Sequence, residues 1–322
     1  MLPFLQIGNI KIPMYALMVC IGFLAYVLIT IYIFEKREKL DKKITNKVLL
    51  LSVPSFVILV FFAFAFNSLF HSIEEGKIVL GGITWLGGVV GGFPCMIWLI
   101  HKFLPEGKGN ALYFFKLLIP GIVLAHAFGR IGCFCGGCCF GKVTNSFLGL
   151  KFPPGSLAAQ KYPGADGYSL PVLPTQLIEA VFELLLFVFL LVSHNKVKKY
   201  NTEIYLFSYG CFRFVLEFFR GDNRGSTGVI LSPSQVMSIV IIIAAVCLAL
   251  YQKGIIIKSF AKKMEQEREQ KAAKNENSSN SIGYLKDLYQ LLQEGIITEE
   301  EFIATKKGIL ANLTKNNNDD QI

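Results

Sequence analysis

Thirteen consecutive residues, Gly129-Arg130-Ile131-Gly132-Cys133-Phe134-Cys135-Gly136-Gly137-Cys138-Cys139-Phe140-Gly141, put one arginine among four cysteines and five glycines. Cys133, Cys135, Cys138 and Cys139 are soft ligands within seven residues, a supply suited to zinc, copper or an iron–sulfur centre, or to disulfide and redox chemistry. The spacing is not that of paired Cys-x-x-Cys knuckles, and adjacent Cys138 and Cys139 are awkward ligands for one tetrahedral ion. The four are therefore read as small packing residues in a tight turn, with no metal and no cofactor assigned, and the metal and redox readings stay open beside that. The glycines predict a turn where backbone approaches a ligand closely, so Gly129 and Gly141 are candidate binding positions.

His126 stands four residues before Arg130, on the same face of a helix. It is either a site residue or an interfacial polar group. Further along, Arg213, Glu217 and Arg220 are spaced i, i+4 and i+7, with Tyr209 one turn earlier. Ionisable side chains inside apolar runs are costly and mark functional sites by default. For Arg213 and Glu217 the alternative is an internal ion pair, and for Arg220 it is an arginine snorkelling to the interface.

The elements that must position these groups are apolar. The chain has 322 residues, 53% hydrophobic and 17% charged, with a mean hydropathy of +0.49, where a soluble domain carries roughly 25% charge. This excludes a disordered, nucleic-acid-binding or ordinary soluble protein. The formal charge of +9 resides in residues 1–252, which hold 21 Lys and Arg against 12 Asp and Glu, while residues 253–322 hold 11 of each. Basic residues among apolar runs report membrane orientation and anionic lipid, not nucleic acid.

Seven stretches approach the roughly 20 apolar residues that cross a bilayer: 13–34, 47–70, 83–104, 111–128, 174–194, 203–220 and 229–252. The fold class expected is all-α, a polytopic membrane protein. Lys36, Arg37, Lys39, Lys42, Lys43 and Lys47 follow the first stretch, Lys102 and Lys108 the third, Lys196, Lys198 and Lys199 the fifth, and Lys253, Lys258, Lys262 and Lys263 the seventh. By the positive-inside rule the amino terminus lies outside and the carboxyl terminus in the cytoplasm. The first span has only Lys11 before it and its basic cluster after it, which predicts a retained anchor and not a cleaved signal. Gly87, Gly88, Gly91 and Gly92 suit close helix packing. The Pro- and Gly-rich loop 142–173 is long enough to be functional.

Residues 253–280 read as a polar linker, 281–315 as a helical hairpin and 316–322 as a disordered tail. Leu285, Leu288, Leu291 and Leu292 recur at helical spacing, Gly295 suits a helix stop, and Thr298 with Glu301 forms a capping box. The segment from Gly295 to Phe302 resembles the short bacterial SHOCT module, which implies oligomerisation or partner contact.

The arginine-bearing segment resembles the signature G-R-x-x-N-F-x-N-x-E-x-x-G of the bacterial prolipoprotein diacylglyceryl transferase family, with Gly129, Arg130, Phe134 and Gly141 at matching positions. Tyr15-Ala16-Leu17-Met18 looks like the family's Y-G-L-M. Pro174-Thr175-Gln176-Leu177 with Glu179 looks like its H-P-[ST]-Q-L-Y-E, and Tyr209, Arg213, Glu217-Phe218-Phe219-Arg220 look like its Y-x-x-x-R-x-x-x-E-F-x-R. The matches keep the family's order across 1–252. Departures accompany them: Leu86 occupies the place of the family's essential histidine before Gly87-Gly88, and Cys133, Gly136 and Cys138 replace Asn, Asn and Glu.

The resemblance implies a multi-pass protein of the bacterial plasma membrane that moves a diacylglyceryl group from phosphatidylglycerol to the cysteine thiol of a lipoprotein precursor's signal peptide. The catalytic set implied is His126, Arg130, Arg213 and Glu217, with His126 taking over from the missing histidine. Tyr15, Gln176, Tyr209, Arg220, Gly129 and Gly141 are implied as substrate-binding. The competing readings are a lipid-binding or lipid-moving protein on the same scaffold, which needs the arginines but no base, and a cysteine-based redox or metal protein.

Overall fold

A computed structural model of the chain describes residues 4–7, 10–107, 110–222, 230–254, 283, 285–295 and 298–318. It opens with two short strands, β1 (Phe4–Ile7) and β2 (Ile10–Pro13), paired antiparallel with Phe4 opposite Pro13. The all-α expectation is corrected at this point. The alternation Ile10-Lys11-Ile12 is a period-two pattern too short to stand out beside the apolar run that follows.

Helices account for the rest: α1 (Met14–Ile31), α2 (Lys42–Glu75), α3 (Trp85–Phe103), α4 (Ala111–Gly136), α5 (Leu157–Lys161), α6 (Thr175–Val192), α7 (His194–Val197), α8 (Asn201–Leu216) and α9 (Pro233–Gln252). Among the described residues, α1 with its π-helical extension to Arg37, α2, α3, α4, α6 and α9 are long and apolar enough to cross a membrane. The expected span 203–220 is a 16-residue helix, α8, closed by a 3-10 turn at Glu217–Phe219.

α4 is the central element, packed against α1, α3, α6 and α8, while α2 lies along α3. Its burial is nearly all round, with Phe115, Leu117, Leu118, Ile119 and Val123 inaccessible, as expected of a helix surrounded by others. α4 also continues eight residues past the expected end at 128. The glycines do not break it into a turn. The helix stops where Gly137, at φ 69°, lets the Gly137 and Cys138 N–H groups donate back to the Phe134 and Cys133 carbonyls, both at 3.2 Å, a Schellman closure.

α2 meets α3 through the small residues of α3. A Cβ on Gly88 would lie 2.9 Å from the Leu59 carbonyl oxygen, so the two backbones are in near contact. The loop from 142 to 173 is held by short bridges, Val143 and Leu150 both opposite Val172, over a small core of Phe140, Phe152, Ala158 and Val172.

Two polar clamps tie the helix ends. Lys116, 1% exposed within α4, donates to Glu203 Oε1 and to the Lys199 carbonyl, both at 2.7 Å. Past the end of α1, Glu38 receives Lys198 Nζ at 2.7 Å on each oxygen and the Tyr113 hydroxyl at 2.7 Å, with His194 Nε2 also 2.7 Å away. His194 is thus fully buried and partnered.

The chain divides into two compact units, 1–249 and 250–322. In the second, helix α10 spans 285–293 and α11 spans Glu299–Asn318, three residues into the tail expected from 316. Thr298 and Glu301 cap α11 reciprocally: the Thr298 N–H donates to Glu301 Oε2 at 2.9 Å and the Glu301 N–H to Thr298 Oγ1 at 3.4 Å. Tyr289 of α10 meets Phe302 of α11 edge-on, with ring centroids 6.2 Å apart. Lys108, Arg224, most of the expected linker, and Ile296-Ile297 of the SHOCT-like stretch lie outside the described residues.

Two outcomes test this packing. Gly88→Ala should destabilise the protein by about 1–3 kcal/mol, because the α2 backbone cannot yield as a side chain would, read as thermal unfolding in detergent. Burial opposes ionisation of Glu38, but Lys198, Tyr113 and His194 together outweigh it and hold the carboxyl below its ordinary value. A group depressed in the folded state stabilises above its unfolded pKa of about 4.3 and loses that stabilisation as pH falls through the folded value. The stability difference between wild type and Glu38→Gln, about 1–3 kcal/mol at neutral pH, should therefore shrink on acidification below about pH 4.

Candidate active site

A cavity of about 830 Å³ opens between α1, α2, α3, α4 and α8, and His126, Arg130 and Arg213 all line it. Residues 126, 130 and 133 sit one turn apart along α4, so the imidazole, the guanidinium and the first thiol share one face. Tyr15, Tyr209, Gly129, Cys133, Cys138, Cys139 and Ser234 complete this end of the wall.

His126 is held on every side. Its Nδ1 lies 2.9 Å from Glu183 Oε1 and 3.4 Å from the Tyr205 hydroxyl. Trp85 stacks on the ring at 4.3 Å and 18°, and Tyr209 meets it edge-on at 5.0 Å. Nε2 accepts from Arg130 Nε at 3.3 Å. This arrangement places the proton on Nδ1, facing the carboxylate, and leaves Nε2 as the basic nitrogen. Its contact with Arg130 is long and contested, since the same Nε lies 3.0 Å from Glu179 Oε1.

Glu179 and Glu183 are both inaccessible and stand one turn apart on α6. Glu179 joins Arg130 to Tyr209, whose hydroxyl donates to Oε1 at 2.8 Å. Sequence reading placed Glu179 only inside a motif and passed over Glu183. The signal available was two carboxylates at i and i+4 in an otherwise apolar run.

Arg213 uses Nη2 for Glu217 Oε2 at 2.6 Å and for Ser234 Oγ at 3.0 Å, and the Ser232 hydroxyl donates to Glu217 Oε1 at 2.9 Å. Its Nη1 is buried without a hydrogen-bond partner among the described residues. The internal ion pair weighed for Arg213 and Glu217 is therefore present, and it leaves one half of the guanidinium fork without a hydrogen-bond partner among the described residues. An unmet buried donor of this kind is costly unless a ligand satisfies it.

The remaining candidates serve the frame. Glu217 orients Arg213 from outside the cavity wall. Arg220 does not snorkel: it is 6% exposed and doubly paired with Asp222 at 2.8 and 2.7 Å. Gln176 donates to the Cys138 carbonyl at 2.6 Å, and Thr175 to the Cys139 carbonyl at 2.7 Å. A Cβ on Gly141 would lie 2.7 Å from the Leu173 carbonyl oxygen and 2.8 Å from that of Phe219. That glycine therefore admits backbone and not a ligand. His71 lines the far part of the cavity beside Asn67.

Breaking a buried ion pair by removing one partner leaves an uncompensated charge, at about 3–5 kcal/mol. Arg130→Met should destabilise the protein by that order, and Arg130→Met with Glu179→Gln should recover part of it. Thermal unfolding of the two single variants and the double variant gives the coupling, which an exposed or unpaired Arg130 would not show.

The model of the family described as prolipoprotein diacylglyceryl transferase matches residues 3–251. A Clostridium perfringens protein named phosphatidylglycerol–prolipoprotein diacylglyceryl transferase 2 is 37% identical over 182 residues, 56% of this chain and 64% of its own. Phosphatidylglycerol–prolipoprotein diacylglyceryl transferases of Clostridium tetani and Dehalococcoides mccartyi are 29% and 26% identical, over 75% and 77% of this chain and 93% and 92% of theirs. The chain thus spans just under two thirds of the first relative and over nine tenths of the other two. The matched region contains every element that builds the cavity, from Tyr15 of α1 to Ser234 of α9, and the chain belongs to the prolipoprotein diacylglyceryl transferase family.

Proposed function

We propose that this protein transfers the diacylglyceryl group of phosphatidylglycerol to the cysteine thiol of a lipoprotein precursor in the bacterial plasma membrane. The observation that carries the reading is a carboxylate-backed imidazole and two arginines on the wall of one cavity.

The reaction has two needs, a thiolate and a stabilised leaving phosphate. Nε2 of His126 takes the proton from the incoming thiol, and Glu183 fixes the tautomer and stabilises the imidazolium that forms. The sulfur attacks the glyceryl carbon next to the phosphate. The carbon–oxygen bond breaks with its electron pair moving to oxygen, and glycerol phosphate leaves. Arg130 and the unmet half of Arg213 pair with the phosphate, with Glu217 and Ser234 holding the Arg213 fork at its angle. Tyr15 and Tyr209 flank the lipid, while Gln176, Arg220 and Gly141 position the segment that follows α4.

In this reading α8 is a seventh crossing. The basic clusters after α1, α3, α6 and α9 support a cytoplasmic carboxyl terminus and an outer-leaflet cavity. Residues 281–315 form a SHOCT-like hairpin in the cytoplasm, available for self-association.

The test is transfer of labelled diacylglyceryl to a lipobox peptide by purified wild type, His126→Ala and His126→Gln. Both variants should fall by about 10²–10⁴, the usual worth of a positioned general base. Equal rates in all three would remove His126 from the mechanism. Absence of transfer by wild type would favour the lipid-binding reading.

A further inference from the structure

The cavity wall has a second cluster that the proton-transfer scheme leaves unused. The sulfurs of Cys133, Cys138 and Cys139 all lie within 4.8 Å of one another, and all three residues line the cavity beside Arg130. A tetrahedral ion bound at about 2.3 Å to each sulfur sets the sulfurs about 3.8 Å apart, so the three need close by about 1 Å at most. The objection from sequence is that adjacent Cys138 and Cys139 are awkward ligands for one tetrahedral ion. Cys139 meets it by adopting φ 63°, a left-handed conformation uncommon for a residue with a Cβ and concentrated at functional sites. The Cys138 and Cys139 carbonyls are pinned by Gln176 and Thr175, which fixes this shape from behind. Cys135, the fourth cysteine of the segment, is outside both the cluster and the cavity lining.

We infer that Cys133, Cys138 and Cys139 form a thiophilic metal site whose fourth position faces the cavity and takes the thiol of the acceptor substrate. The inference rests on the transfer reaction proposed above and adds to it the means of making the thiolate. Three sulfur ligands with an open fourth position match Zn²⁺, which prefers four-coordinate tetrahedral geometry and leaves a position open where it acts on a substrate. A thiol that coordinates such an ion is deprotonated outright. Three thiolates and one divalent ion carry a net charge of −1, and the buried Arg130 lines the same cavity one turn before Cys133. Binding requires the Cys138 thiol to give up its 3.6 Å bond to the Cys133 carbonyl.

The step balances without an oxidant. The acceptor thiol forms a sulfur–metal bond and gives its proton to His126 Nε2. Its sulfur then forms the bond to the glyceryl carbon as the carbon–oxygen bond breaks, and glycerol phosphate carries off the electron pair. The product is a thioether, which is neutral and a weaker zinc ligand than a thiolate, so it leaves the metal and restores the open position. This also gives a reason for cysteines to stand where the family signature has Asn and Glu.

The experiment uses the full-length protein, purified in detergent with reductant and stripped by chelator. Titration with Zn²⁺ against a chromogenic chelator should show one tight equivalent per chain in wild type and in Cys135→Ser. That equivalent should be lost in Cys133→Ser, Cys138→Ser and Cys139→Ser, each checked for monodispersity. With Co²⁺ in the site, a lipobox peptide should raise the thiolate-to-metal charge-transfer absorption by about a third, one thiolate added to three, and the same peptide with serine for cysteine should not. No tight equivalent in reduced wild type, or binding unchanged in all three serine variants, would overturn the site. A disulfide within the trio together with no metal uptake after reduction would overturn it in favour of redox chemistry. Transfer at equal rates by stripped and Zn²⁺-loaded enzyme would overturn the metal's part in the reaction and leave the transferase reading standing. Metal and peptide binding without any transfer would uphold the site and overturn the transferase reading instead.

Discussion

Charge buried without water governs this structure. Arg130, Glu179, His126 and Glu183 have almost no exposed surface, and each alone would be among the most expensive groups a membrane protein can hold. They are affordable only as a set: Glu179 serves Arg130 and Tyr209, Glu183 serves His126, and His126 accepts from Arg130. The partners come from α4 on one side and α6 and α8 on the other. The network therefore fixes the rotation of three helices as well as the geometry of the site, since a turn of any one would strand a charge.

That dependence explains why polar clamps recur away from the cavity. Apolar helix faces in lipid slide with little penalty, because lipid tails are as apolar as leucine and packing alone must hold the register. Lys116 with Glu203 locks α4 to α8, and Glu38 with Lys198, His194 and Tyr113 locks the end of α1 to α4 and to the stretch following α6. The direct approach of α3 to α2 at Gly88 does the same by shape. With both ends fixed, His126 and Arg213 are held on the wall of one cavity.

Much of this was legible in the residues. Of the seven apolar stretches, six are helices long and apolar enough to cross a membrane among the described residues, as expected where lipid demands that each backbone satisfy itself. The spacing puts His126 with Arg130, and Arg213 with Glu217, on shared helix faces, and in the structure each pair is in contact. What escaped depended on tertiary context. The glycines from 129 to 136 suggested a turn by local propensity, yet the surrounding helices keep α4 intact to Gly136. Arg220 gave no sign of whether it faces lipid or Asp222, because a loop decides that. Glu183 belonged to no motif, and its spacing from Glu179 marks it as a buried charge without naming its partner, His126 of another helix at 2.9 Å.

In the reading proposed above, the place of the proton acceptor follows from the same constraint. Leu86 stands where the family's histidine precedes the Gly-Gly pair, and it is buried at the start of α3 beside Trp85. Trp85 stacks on His126 and donates its indole N–H to the Tyr205 hydroxyl at 2.8 Å, so the two sites for a histidine, one on α3 and one on α4, border the same end of the cavity. Moving the imidazole from the first to the second brings it to a carboxylate on α6. It also places a tryptophan face against the ring, which fixes the plane of the imidazole. The leucine in the vacated place is buried apolar wall of the cavity. In the reading proposed above, the proton acceptor thus stands on α4 and not on α3, with Leu86 and His126 both on the wall of one cavity.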